Sequence, residues 1–155
     1  MFSPQIRVLI IDDSAIARNT LSRILETDPE IEVVGTAPDA LIGLRKIAEC
    51  SPDVLTLDVE MPKMDGLTFL ERLMSSRPMP VVMVSAYTSE GSETALRALD
   101  LGALEIIEKP SIDVSSGLQE LALQITDKVK AAAQAKLKSP QQRFQKQHLR
   151  NSHTQ

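Results

Sequence analysis

Short apolar runs alternate along this chain with longer stretches in which apolar residues recur every three or four positions. The runs cover residues 6–11, 32–37, 54–58, 80–85 and 104–108. Each run is too short for a helix and is rich in Val, Ile and Leu, which favours buried strands. Strands that alternate with helices predict an α/β fold, namely a doubly wound five-stranded parallel sheet with helices on both faces.

The stretches between the runs predict five helices. They cover 14–27, 39–50, a segment that begins after Gly66, 90–101, and a last, longest helix from near 118 to near 137. Asp13 or Ser14 should cap the first helix, and Gly102 should end the fourth. Apolar residues at helical spacing should face the sheet in the first two helices: Ile16, Leu21, Ile24 and Leu25, then Leu41, Leu44, Ile47 and Ala48.

Composition describes one ordinary globular domain. The 155 residues are 43% hydrophobic and 25% charged, which suits a single core. We assign residues 1–138 to this domain and expect residues 139–155, which are polar and Gln-rich, to form a disordered basic linker or tail. No run approaches the roughly 18 apolar residues of a membrane span, and the lone Cys50 suits a reducing compartment. A cytoplasmic protein without membrane insertion is therefore expected.

Charge is unevenly distributed along the chain. The net charge is −4, yet residues 128–155 hold seven of the 17 basic residues and none of the 21 acidic ones. A basic arm can bind nucleic acid, but residues 139–155 are too short and too polar for a helix-turn-helix. We therefore expect no nucleic-acid partner, which also argues against a transcription regulator.

Three acidic residues stand where predicted strands end. Asp12 and Asp13 follow the first run, and Asp58 ends the third. Because ligands bind beyond the carboxyl ends of parallel strands, these carboxylates should meet at one edge of the sheet. Asp58 alone could simply end a strand, but three clustered carboxylates would repel one another. A hard cation such as Mg²⁺, which prefers oxygen ligands, would relieve that repulsion.

Two further strand ends add groups that suit a phosphoryl group. Ser85 ends the fourth run, and Lys109 follows the fifth. A metal ion held by acids, a hydroxyl and an ammonium could surround a phosphoryl group, with Asp58 as the nucleophile. The pattern therefore predicts phosphoryl transfer to Asp58.

These motifs resemble the response-regulator receiver domain of two-component signalling, over residues 5 to about 130. The resemblance rests on Asp12-Asp13, Ser85-Ala86, Lys109-Pro110 and Asp58-Val59-Glu60-Met61-Pro62-Lys63-Met64-Asp65-Gly66. It implies a flavodoxin-like sheet of order 2-1-3-4-5 and phosphorylation of Asp58 by a histidine kinase. It also implies Mg²⁺ bound by Asp13, Asp58 and the carbonyl of Glu60, with Asp12 acting through water.

The segments Val34–Asp39, Asp53–Pro62 and Arg77–Ser85 are similar to the receiver of the chemotaxis protein-glutamate methylesterase family. In that family a linker joins the receiver to a hydrolase domain that acts on chemoreceptors. No G-x-S-x-G elbow occurs in this chain, and both histidines lie in the tail, so we expect no hydrolase domain here. The implied output is a methylesterase domain or a partner protein.

A second hypothesis is a metal-dependent phosphatase that forms an aspartyl phosphate. Glu60, two residues after Asp58, would be its general acid. The acid pair on a separate strand and the lack of a substrate cap domain argue against this hypothesis.

Two expectations concern the strand that precedes Lys109. The Lys109–Pro110 bond is expected to be cis, because a strand-end X-Pro must turn sharply there. Many receivers carry, three positions before this lysine, an aromatic residue that swings inward as the hydroxyl of the fourth strand moves to the phosphate. Ile106 holds that place here, but it is β-branched and too small for this role, so we expect it simply to pack under the fourth helix. Movement of Ser85 should instead reach the surface through residues 86–91 and that helix.

Overall fold

Five strands alternate with five helices along the chain. The structure, a computed structural model, describes residues 5–86, 92–109 and 118–135. The strands are β1 (Ile6–Ile11), β2 (Ile31–Ala37), β3 (Val54–Asp58), β4 (Val81–Ser85) and β5 (Glu105–Glu108). The helices are α1 (Ala15–Glu26), α2 (Ala40–Cys50), α3 (Gly66–Ser76), α4 (Glu93–Asp100) and α5 (Leu118–Gln134). The predicted number, type and order of the elements are confirmed.

The strands form one parallel sheet in the order β2-β1-β3-β4-β5. Every residue of β3 and β4 is buried, as expected for inner strands covered on both faces. The predicted flavodoxin-like α/β fold and its strand order are confirmed. In such a sheet the order in which strands are added reverses between β1 and β3. Ligands bind in the crevice at this point, beyond the carboxyl ends of these two strands.

Alternate strand residues pack into two apolar layers, one on each face of the sheet. One layer joins strand residues such as Leu9 and Leu57 to buried residues of α2, α3 and α4. The other joins residues such as Val8 and Val54 to α1 and α5. Half-buried Ile106 packs against the layer that contains Ala98 of α4, as predicted.

The apolar faces predicted for α1 and α2 are wrong at several positions. The side chains of Ile16, Leu41 and Leu44 are 58%, 71% and 50% exposed, and Ala48 is also exposed. Small residues occupy the buried positions instead: Ala17, Ala40 and Gly43. A Cβ atom at Gly43 would lie only 2.8 Å from Cδ1 of Ile11. The close approach of α2 to β1 thus explains why small residues rather than leucines face the sheet.

Side-chain caps and one glycine set the helix ends. Ser14, not Asp13, caps α1, since its Oγ accepts a hydrogen bond from the amide of Ala17. Helix α4 starts at Glu93, later than the predicted 90, after Ser92 caps it. Gly102 follows α4 with φ of 114°, a left-handed conformation that favours glycine, as predicted.

Some predictions fall on other parts of the chain. Residues 87–91, Pro110 and residues 136–155 lie outside the described residues, and with them the loop after Ser85, the Lys109–Pro110 bond, the boundary at 138 and the tail. Among the residues that are described, no helix is long and apolar enough to cross a membrane.

Candidate functional site

Asp12, Asp13 and Asp58 meet at the carboxyl edge of the sheet. Strands β1 and β3 pair with Ile11 beside Leu57, so the residues that follow these two lie side by side. Each acid offers an oxygen, and these oxygens all lie within 4.8 Å of one another. Asp58 is 0% exposed and Asp12 1%, whereas Asp13 is open to solvent. The predicted acid cluster is therefore present, and two of its three members are buried.

Lys109 bridges the two buried carboxylates. Its Nζ lies 3.2 Å from Oδ1 of Asp12 and 3.2 Å from Oδ2 of Asp58. The backbone amide of Lys109 also donates to the carbonyl of Ser85, which fixes the end of β5 against β4. Residues from the ends of three strands, β1, β3 and β5, thereby converge on one ammonium group.

Burial and the neighbouring charges shift the pKa values of Asp58 and Lys109. The pKa of Asp58 is raised to about 8, first by burial and then by the neighbouring Asp12 carboxylate, while Lys109 lowers it only in part. Burial lowers the pKa of Lys109, but the carboxylates of Asp58 and Asp12 outweigh burial and raise it overall. Lys109 therefore stays charged, and its charge does not fully offset the effect of burial and of Asp12 on the pKa of Asp58.

The acid cluster fits a hard divalent cation. Oδ1 of Asp12 accepts hydrogen bonds from the amide of Ser14 and from Lys109. Oδ2 of Asp12 is buried and has no hydrogen-bond partner within the described part of the chain. A buried carboxylate oxygen without a partner is costly. Two further carboxylates within reach complete the oxygen-rich, net negative donor set that Mg²⁺ prefers.

Ser85 lies at the neighbouring strand end, and its hydroxyl is bound to Glu60. Asp58 pairs with Val84, which brings the end of β4 beside the residues after β3. Ser85 is fully buried, and its Oγ donates to Oε1 of Glu60 at 2.7 Å. The amide of Glu60 donates in turn to Oδ1 of Asp58 at 3.3 Å. Glu60 thus contacts both Asp58 and Ser85, and its predicted role as a carbonyl ligand stays a prediction.

The sequence did not predict the roles of two residues that support the site. Arg18 donates from Nη1 to the carbonyl of Asp12 at 2.7 Å and so braces the end of β1. Gly66 donates its amide to the carbonyl of Val59, and a side chain at this position would overlap the carbonyl of Asp58. A glycine just before a predicted helix and eight residues after the key acid was the available signal for a close approach. No comparable signal pointed to Arg18.

Several known proteins are similar to this chain in sequence and in fold. The family model described as the response regulator receiver domain matches residues 8–121. A protein-glutamate methylesterase/protein-glutamine glutaminase of Methylobacillus flagellatus is 57% identical over 132 residues, which are 85% of this chain and 37% of that protein. This chain therefore spans well under half the length of the curated relatives it matches.

Two solved structures are similar as well. The crystal structure of the response regulator domain of Thermotoga maritima CheB has a TM-score of 0.76 and 38% identity, and it covers 85% of this chain and 98% of that one. The crystal structure of the CheX-CheY-BeF3-Mg+2 complex from Borrelia burgdorferi has a TM-score of 0.66 and 28% identity, with 83% of this chain and 89% of that one covered.

Proposed function

This chain belongs to the response regulator receiver domain family, and from that premise we propose that it is a signalling switch whose Asp58 accepts a phosphoryl group. The observation that carries the proposal is the setting of Asp58. Its buried carboxylate lies beside two other acids and 3.2 Å from the ammonium of Lys109. Phosphoryl transfer depends mainly on positioning and on positive charge around the transferred group, and this site provides both.

In the proposed reaction a carboxylate oxygen of Asp58 forms a bond to the phosphorus of the donor. The bond from phosphorus to the leaving group breaks, and the leaving group keeps that electron pair. The leaving group takes up a proton from an acidic group of the donor protein or from solvent. The product is an aspartyl phosphate. Lys109, already in contact with Asp58, neutralises charge on the transferred oxygens.

Mg²⁺ is the proposed cofactor, with Asp12, Asp13, Asp58 and the carbonyl of Glu60 as its proposed ligands. The ion would supply positive charge that draws the phosphoryl oxygens towards Asp58. Oδ2 of Asp12, which is buried and has no hydrogen-bond partner among the described residues, supports this assignment, since a cation or its bound water would satisfy that oxygen. The Borrelia complex named above pairs a similar domain with Mg²⁺ and a beryllium fluoride.

The proposed donor is a histidine kinase, and the proposed output is a methylesterase domain. Relatives named protein-glutamate methylesterase match this chain with about two fifths of their own length. A domain of that kind, attached through residues 139–155 or carried by a partner protein, would act on chemoreceptors under control of the receiver. A cytoplasmic location and the absence of nucleic-acid binding belong to the same proposal.

The experiment that tests the phosphoacceptor is an intact-mass measurement after exposure to acetyl phosphate with Mg²⁺. We expect the mass of one added phosphoryl group, and none when the metal is removed with a chelator. Asp58→Asn keeps the shape of the side chain but removes the nucleophile, so this variant should gain no mass. Asp53→Asn is the matched control, because Asp53 lies at the opposite end of β3 and should not affect labelling. Equal labelling of the Asp58 variant would refute the proposal.

The phosphatase hypothesis is disfavoured by the position of Glu60. A general acid must be free to protonate a leaving group, whereas the Glu60 carboxylate accepts a hydrogen bond from Ser85. We therefore expect at most one phosphoryl transfer per molecule from acetyl phosphate on a short timescale, and no sustained turnover of a phosphomonoester such as p-nitrophenyl phosphate.

A further inference from the structure

The contact between Ser85 and Glu60 engages a group that the proposed reaction requires. The Oγ of Ser85 is 2.7 Å from Oε1 of Glu60, which is a short distance for a hydroxyl and a carboxylate. Ser85 is fully buried, whereas Glu60 is exposed. The buried partner is the donor, and the acceptor is a side chain that water could equally well solvate.

A serine hydroxyl has one proton to donate. On the proposed function, Ser85 would give that proton to an oxygen of the phosphoryl group on Asp58. The same proton cannot at once be donated to Glu60. The Glu60 carboxylate and the phosphoryl group are therefore competing acceptors for one donor.

Glu60 contacts both Asp58, the proposed site of the phosphoryl group, and Ser85, the donor for which the two acceptors compete. Its amide donates to Oδ1 of Asp58, while its side chain accepts from Ser85. A change at Asp58 therefore acts on the residue that holds Ser85. The pairing of Asp58 with Val84 keeps the two strand ends in register, so the competition takes place between fixed backbones.

We propose that the side chain of Glu60 is a positioning residue that holds the Ser85 hydroxyl away from the phosphorylation site in the unmodified protein. This inference rests on the proposed function and adds an energetic threshold to it, namely the cost of breaking the hydrogen bond between Ser85 and Glu60. Phosphorylation must break the Ser85–Glu60 hydrogen bond before Ser85 can bind a phosphoryl oxygen. Removing the carboxylate of Glu60 lowers that threshold and favours the phosphorylated arrangement.

The test is a double-mutant cycle on the affinity for beryllofluoride with saturating Mg²⁺, measured by calorimetry on this chain. Glu60→Ala should bind beryllofluoride about tenfold more tightly, which is about 1.4 kcal/mol and close to the lower end for a hydrogen bond to a charged group. In the Ser85→Ala background, where no hydroxyl remains to be held, Glu60→Ala should change the affinity little.

Glu60→Gln is the matched control for charge. Glutamine keeps an oxygen that can accept from Ser85 but removes the negative charge, so its affinity for beryllofluoride should lie between those of the original protein and Glu60→Ala. A second readout is the amide NMR signal of Ala86, which should lie closer to its beryllofluoride-bound position in unliganded Glu60→Ala than in the Gln variant. A merely structural role of Glu60 would not produce this difference.

Two results would overturn the inference while leaving the proposed function intact. One is equal tightening by Glu60→Ala and Glu60→Gln, which would indicate general repulsion of the anion. The other is an undiminished effect of Glu60→Ala in the Ser85→Ala background. Failure of the unaltered chain to bind beryllofluoride or to be phosphorylated would instead refute the proposed function, and the inference with it.

Discussion

The ammonium of Lys109 lies 3.2 Å from Oδ2 of Asp58 and so ties the end of β5 to the end of β3. The same ammonium is equally close to Asp12, so two buried carboxylates share one cation. Burial and the neighbouring Asp12 carboxylate both penalise the charged form of Asp58, so this arrangement does not serve folding alone. The energetics of this site should therefore respond to any change in its charge.

Asp58→Asn should stabilise the protein when Mg²⁺ is absent. The substitution removes a buried carboxyl group whose ionisation the folded cluster opposes, as its raised pKa of about 8 records, so the free energy of unfolding at neutral pH should rise by about 1 kcal/mol or more, the scale of one pKa unit. Addition of Mg²⁺ should raise the melting temperature of the unaltered protein more than that of the variant, because binding to the native state stabilises it. Thermal unfolding in chelator and in excess Mg²⁺ measures both effects. Equal metal-induced shifts would exclude Asp58 as a ligand.

Asp13→Ala should weaken Mg²⁺ binding more than Asp12→Ala. Asp13 is exposed and close to the other two acids, whereas Asp12 is already engaged by Lys109 and by the amide of Ser14. Loss of a direct ligand should lower metal affinity at least about tenfold. Calorimetric titration with Mg²⁺ measures the difference, and unchanged affinity in both variants would count against the metal site.

Gly66→Ala should lower stability by about 3 kcal/mol, the upper part of the usual range for overpacking. The added methyl group would overlap the backbone of Asp58. That backbone cannot move without displacing the Asp58 carboxylate, which is the proposed phosphoryl acceptor. Gly43→Ala is the matched control, because the atoms nearest its methyl group belong to the side chain of Ile11, most closely its terminal Cδ1, and none is a backbone atom, so the substitution should cost about 1 kcal/mol.

Chemical denaturation gives the two stabilities, and intact mass gives phosphorylation of the folded fraction. Labelling of the folded protein should drop in Gly66→Ala and persist in Gly43→Ala. Similar losses of stability and labelling in the two variants would contradict a special role for the contact between Gly66 and Asp58.

Thr56→Val should stabilise the protein by about 1 kcal/mol. Thr56 is 0% exposed, and its Oγ1 has no hydrogen-bond partner among the described residues. Valine has nearly the same shape without the buried polar atom, so the desolvation penalty disappears. Thr126→Val is the matched control, because Thr126 is also buried but its Oγ1 donates to the carbonyl of Leu123. The control variant should be neutral or less stable in denaturant titrations, and a gain as large as that of Thr56→Val would contradict the explanation.

The ion pairs of Lys130 should make stability depend on pH at both extremes. Its Nζ lies 2.7 Å from Asp28 and 3.1 Å from Glu30, which joins α5 to the turn before β2. The hydrogen bond with Lys130 is the main reason that the pKa of Asp28 is lowered, and the bond to Asp28 is the main reason that the pKa of Lys130 is raised.

The signs follow from these two directions. A lowered pKa of Asp28 means that its stabilisation is present above the unfolded value of 3.8 and is lost as pH falls through the lower folded value. A raised pKa of Lys130 means that its stabilisation is present below 10.5 and is lost as pH rises through the higher folded value. Lys130→Met should therefore lower the melting temperature slightly at neutral pH and have no effect in strong acid. In an Asp28→Asn background the effect at neutral pH should shrink, and a pH-independent effect would point to packing instead.

The amino-acid sequence by itself determined the elements and the membership of the site. Runs such as Val54–Asp58 are too short and too uniformly apolar for helices, and their alternation with helical patterns requires parallel strands. Because parallel strands end at one edge, the position of Asp12, Asp58 and Lys109 at strand ends was sufficient to predict that they lie along the same edge of the sheet, where the structure brings them into contact. The strand order, in contrast, came from the resemblance to a family and not from periodicity.

Only the tertiary structure decided which side of each helix is buried and which acceptor each polar group finds. Helix α2 has more apolar residues than one face needs, so periodicity favoured Leu41 and Leu44, whereas the close approach of Gly43 to Ile11 turned those leucines to solvent. Ser85 and Glu60 are 25 residues apart, and their contact depends on the pairing of β3 with β4. Spacing along a chain records local geometry, whereas such contacts depend on how distant elements pack, and this is why the hydrogen bond that we propose as a threshold was not visible in the sequence.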